Sequence, residues 1–76
     1  MTFTSETRES SEIVVNGERR KVGGNATVRS LLRELGLPES RVAVERNRAI
    51  VRKSDYEGTA LAEGDRIEIV TFVGGG

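Results

Sequence analysis

The chain has 76 residues, 36% of them hydrophobic, with nine further glycines, which allows one small domain burying about two thirds of its unfolded surface and rules out a large enzyme. Twelve Lys and Arg offset twelve Asp and Glu to a formal charge of zero, so no overall positive field attracts a polyanion, and nucleic acid is not an expected partner. Cys and His are both absent, which excludes disulfides, thiolate nucleophiles, imidazole bases and the common zinc sites.

Residues 1–11 are rich in Ser, Thr and Glu, with Phe3 as the one aromatic; they read as a flexible extension that buries too little to offset the entropy of ordering. Neither a signal-peptide run nor the ~18 apolar residues of a membrane span occurs, so a cytoplasmic protein without a membrane partner is expected. Order is expected from residue 12. Ile13-Val14-Val15 and Glu18 to Val22 flank Asn16-Gly17, and Asn-Gly between extended runs predicts a hairpin, because both residues tolerate the positive φ of a type I′ turn.

Thr27 is placed as an N-cap before Val28, Leu31, Leu32 and Leu35, whose spacing predicts an amphipathic helix. Gly36 suits its left-handed C′ position and Pro38 forbids continuation. Val42-Ala43-Val44 and Ala49-Ile50-Val51 read as strands around a turn at Asn47, and residues 55–58 as a turn with Tyr56 as a satellite core contact. Residues 63–65 form a tight turn shaped by Asp65, and residues 66–73 the longest β-branched run, leading directly into Gly74, Gly75 and Gly76.

Hairpin, helix, strand, short strand and long strand make an α+β layer pair: a mixed sheet of four to five strands with one helix across one face, the ubiquitin-like β-grasp. The domain is expected over 12–73, with a flexible glycine tail at 74–76. Strand parity puts Ile13, Val15, Ile67 and Ile69 under the helix and leaves Val14, Val70 and Phe72 on the open face, where parallel pairing of the first and last strands makes them a partner patch. The basic residues Arg19, Arg20, Lys21, Arg46, Arg48, Arg52 and Lys53 read as solvated positions that blunt sheet edges. Three terminal glycines contribute nothing to packing; without Cβ atoms they thread a narrow slot and deliver a carboxylate roughly 10 Å beyond the last anchored residue.

Val15-Asn16-Gly17-Glu18, Thr27-Val28-x-x-Leu31-Leu32-x-x-Leu35, Val42-Ala43-Val44 to Asn47, Leu61-x-x-Gly64-Asp65-x-Ile67-x-Ile69-Val70 and the glycine end together resemble the sulfur carriers of thiamine biosynthesis. Two departures are the extra Gly74 and Arg52-Lys53 where those carriers often have Pro-Arg. The resemblance implies a carrier, not an enzyme. It binds no cofactor of its own: an adenylyltransferase related to ubiquitin-activating enzymes uses ATP and magnesium to adenylate the carboxylate of Gly76. Sulfur from a cysteine desulfurase system then makes a thiocarboxylate, which donates to thiazole synthase. Two other readings share the tail: a ubiquitin-like modifier forming isopeptide bonds, and a carrier for molybdopterin synthesis or tRNA thiolation.

Overall fold

A computed structural model describes residues 10–72; the expectations for residues 1–9 and for Val73, Gly74, Gly75 and Gly76 lie outside them. Five strands, β1 (Ser10–Val15), β2 (Glu18–Gly23), β3 (Val42–Arg46), β4 (Ala49–Val51) and β5 (Arg66–Thr71), form one sheet in the order β2-β1-β5-β3-β4. β1 and β5 run parallel and the other neighbours antiparallel. With helix α1 (Val28–Leu35) across one face, this is the ubiquitin-like β-grasp.

The hairpin forms as its turn chemistry requires. Asn16 and Gly17 have φ of 50° and 86°, and Val15 faces Glu18 across the turn. Asn47 and Arg48 make a second left-handed pair, at 53° and 74°; arginine takes this conformation less readily than glycine does. Strand β1 starts at Ser10, earlier than the apolar run that marks it in the sequence, because a ladder needs only backbone: Ser10 and Ser11 pair with Gly23 and Val22. Ser11 is buried beside Val22. At the other end β5 closes at Thr71, shorter than the run to Val73 implied.

Helix α1 is held at both ends. Thr27 and Ser30 exchange hydrogen bonds as a capping box, while the N–H groups of Val28 and Arg29 donate to the carbonyls of Thr59 and Tyr56 at 3.0 Å each. Gly36, at φ 73°, donates to Arg33 and Leu37 to Leu32, a Schellman closure. Two 3₁₀ turns follow, Glu39–Arg41 and Lys53–Asp55. Arg29 joins the helix to both regions through Glu39 at 2.7 Å and Glu57 at 2.8 Å.

The core is the one that parity dictates: Ile13, Ile67 and Ile69 meet Val28, Leu31 and Leu32, with Val15 and Leu35 packed at its margin. Tyr56, expected as a satellite contact, is a full core member.

Strand β5 lies between β1 and β3, and each neighbour turns away before it ends. β1 stops opposite Ile67, leaving the next outward N–H and C=O of β5, those of Ile69, without a strand partner on that side. The Asn16 side chain takes both, accepting from the Ile69 N–H at 2.7 Å and donating to its carbonyl at 3.1 Å. A side-chain amide has the donor and acceptor of a peptide group and here continues the ladder. Asn16→Gly keeps the positive φ but removes both bonds, and is expected to lower stability by about 1–3 kcal/mol in urea unfolding, with Asn16→Ala losing more.

Candidate functional site

The glycines follow β5 in the sequence, so the described groups nearest to them are those around the C-terminal end of β5. Val42 pairs with Thr71 and Ala43 with Val70, and the Phe72 N–H donates to the Arg41 carbonyl at 2.8 Å. The chain is therefore hydrogen-bonded through Phe72, and four residues remain beyond it. Full extension over four residues reaches roughly 13–14 Å.

On the face away from α1, Val70 and Phe72 are 58% and 54% exposed and Ile50 is 73% exposed. These are the exposed large hydrophobic residues among those described. Ala43 lies beside Val70, and Ile50 lies on the same face across β3, in the row of Glu45 and Glu68. Val14 is not part of it. Although β1 and β5 are parallel as expected, Val14 faces Arg66, four residues before Val70, which is roughly 13 Å along the strand; it is also half-buried. The patch thus gains Ile50, which sequence parity missed because the offset between β4 and β3 is set by the turn at Asn47 and Arg48. Glu45 and Glu68 face each other on the same surface, an unfavourable cross-strand pair of like charges.

At the opposite end of β5, Asp65 does more than shape its turn. Its carboxylate is buried and accepts from Ala62 N–H at 2.8 Å, Arg46 Nε at 2.8 Å and Asn47 Nδ2 at 3.0 Å. Arg46 is therefore an ion-pair partner here, not a freely solvated cation. Asn47 also accepts from the Arg66 N–H at 2.9 Å while its own N–H donates to the Arg66 carbonyl at 2.8 Å. These contacts hold the start of β5 as Asn16 holds its end. Burial pushes the Asp65 carboxyl up, but the hydrogen bonds from Arg46, Ala62 and Asn47 and the charge of Arg46 outweigh it and hold the group below the usual carboxylate range.

Among the described residues no group of three or more acidic side chains is placed to hold a metal ion. No helix among them is long and apolar enough to cross a membrane.

Comparison with known proteins identifies the family that the chain resembles. The model of the ThiS family matches residues 6–76. The thiazole synthase of Paramagnetospirillum magneticum is 51% identical over 65 residues, covering 86% of this chain and 20% of that protein, so the chain spans about one fifth of that relative's length. The sulfur carrier protein ThiS of Bacillus subtilis is 46% identical over 50 residues, covering 66% of this chain and 76% of that one. The crystal structure of the thiamine biosynthesis protein ThiS from Geobacter metallireducens superposes with a TM-score of 0.71 at 31% identity, covering 86% of this chain and 99% of that one.

Because the folded pKa of Asp65 is depressed, its contribution is complete above the unfolded value of about 3.9 and disappears as pH falls through the folded value. Asp65→Asn is expected to melt well below the parent at neutral pH. The gap between their melting temperatures should narrow steadily below about pH 4, as measured by circular dichroism over a pH series.

Proposed function

The chain belongs to the ThiS family, the sulfur carriers of thiamine biosynthesis, and from that premise we propose that it carries sulfur as a thiocarboxylate on Gly76. The observation that carries the proposal is the junction at the end of β5. A strand fixed by the core and by Asn16 runs to a hydrogen-bonded Phe72, and the sequence then continues as Val73 and three glycines.

The chemistry follows from the terminus. An ionised carboxylate, with a usual pKa of about 3.3–3.7, is a very poor electrophile. Joining it to AMP, with loss of pyrophosphate from ATP, makes an acyl adenylate. Attack by a persulfide sulfur then expels AMP and leaves an acyl disulfide, which a second thiol of the sulfur-supplying partner cleaves, releasing the thiocarboxylate as the two partner sulfurs join in a disulfide. The activating partner, an adenylyltransferase related to ubiquitin-activating enzymes, supplies ATP and magnesium, and a cysteine desulfurase system supplies the sulfur. The carrier needs no thiol, in keeping with a sequence that has no Cys. Gly74 and Gly75 allow the tail to enter a slot too narrow for a side chain.

Thiazole synthase is the proposed acceptor. Support comes from the match of this chain to one fifth of a thiazole synthase, as would arise where carrier and acceptor are joined. Val70 and Phe72, with Ile50 now beside them, are the proposed docking patch.

Incubation with ATP, magnesium, the cognate adenylyltransferase and a sulfur source is expected to raise the intact mass by one oxygen-for-sulfur exchange, located on Gly76 by fragmentation. Gly75→Val should block the change while the melting temperature stays put; modification of a chain lacking Gly75 and Gly76 would overturn the assignment. For the patch, Phe72→Ser is expected to weaken binding to the activating enzyme by about tenfold or more, in line with loss of an aromatic anchor. Its exposed position predicts little change in thermal stability. Calorimetric titration and a melting curve on the same sample check both.

A further inference from the structure

Among the described residues strand β2 is an edge of the sheet, pairing with β1 alone. Across a two-residue hairpin turn the flanking pair exchanges both its hydrogen bonds, so the backbone groups of Glu18, Arg20 and Val22 face β1. Those of Arg19, Lys21 and Gly23 therefore point away from the sheet, in the spacing that an additional strand would need. The other edge, β4, has three residues, half the length of β2.

A groove of about 470 Å³ opens beneath the first half of this edge, on the helix side. Val15, Leu35, Leu37 and Ile69 give it an apolar lining, Arg19 and Arg20 stand along it, and Glu18 lies with Asn16 at its turn end, away from where an acidic segment is to run. Arg20 is incompletely matched. Its Nε is buried with no acceptor, and its guanidinium reaches Glu34 only at 4.0 Å. A buried donor in this condition costs stability until an acceptor arrives.

We propose that the β2 edge and this groove form a docking site for an extended partner segment, apolar at one end and acidic at the other, which adds to the sheet as a further strand. The backbone groups of Arg19, Lys21 and Gly23 supply the ladder. The apolar end of the segment lies over Val15, Leu35, Leu37 and Ile69, near the hairpin turn. Its acidic end runs along Arg19, Arg20 and Lys21, where a carboxylate opposite Arg20 provides the acceptor that Nε lacks. The same three cations repel a second copy of β2, so the edge excludes self-pairing while admitting an acidic strand. The site uses neither the glycine tail nor the exposed residues Ile50, Val70 and Phe72, and it stands or falls independently of the sulfur-carrier reading.

The test is titration of the ¹⁵N-labelled full chain, without ATP, with a blocked octapeptide of alternating isoleucine and valine followed by alternating aspartate and glutamate. Saturable shifts are expected at the amides of Arg19, Lys21 and Gly23, with slowed hydrogen exchange there and none at Ala49, Ile50 or Val51. Replacing the acidic half by lysine should remove binding. Lys21→Pro deletes an outward N–H without breaking the β1 ladder and should weaken binding about tenfold or more, a loss equal to at least 1.4 kcal/mol. Should that variant unfold, the double replacement Arg19→Glu and Lys21→Glu must give the same loss. The proposal is overturned by three results: no saturable shift up to roughly 1 mM peptide, shifts confined to β4, or β2 shifts produced by raising the protein concentration alone, which would assign the edge to a second copy.

Discussion

A central strand must have hydrogen-bonding partners on both sides along its whole length, and in this chain the neighbours of β5 are too short to provide them. Asn16 and Asn47 make up the difference at opposite ends. Each sits at the first position of a left-handed turn, where asparagine tolerates the positive φ and keeps its amide close to the adjacent strand. A burial of Ile67 and Ile69 that left the Ile69 backbone groups unpaired would return part of what the core gains.

This arrangement explains how a small core can hold β5 in a defined place as far as Phe72. The pull of Ile67 and Ile69 into the core fixes the middle of β5, Asp65 with Arg46 and Asn47 fixes its start, and Asn16 fixes the approach to Phe72. Anchoring therefore extends through Phe72.

The two faces of the sheet are put to different uses. Under the helix, aliphatic side chains exclude water and supply the stability. On the open face Ile50, Val70 and Phe72 remain exposed beside the like-charged pair of Glu45 and Glu68. Neither feature stabilises the isolated domain.

Local chemistry made much of this legible from the residues alone. Asn16-Gly17 specified a hairpin because few other residues accept its dihedral angles, and Thr27 and Gly36 bounded the helix through caps that act within one turn. The alternation of Ile67, Glu68, Ile69 and Val70 assigned the faces of β5. Register was beyond such reasoning. Whether Val14 lies beside Val70 or beside Arg66 depends on how far β1 slides along β5, which is decided by packing Ile13 and Ile67 under α1 and by the Asn16 amide meeting Ile69. The same holds for Asp65, whose sequence neighbours announce a turn but whose partners Arg46 and Asn47 are nearly twenty residues away. The amino-acid sequence by itself thus determined elements, caps and the glycine terminus, all consequences of short-range sterics and periodicity; the tertiary structure alone decided which side chains meet, because long-range contacts follow from strand register and burial.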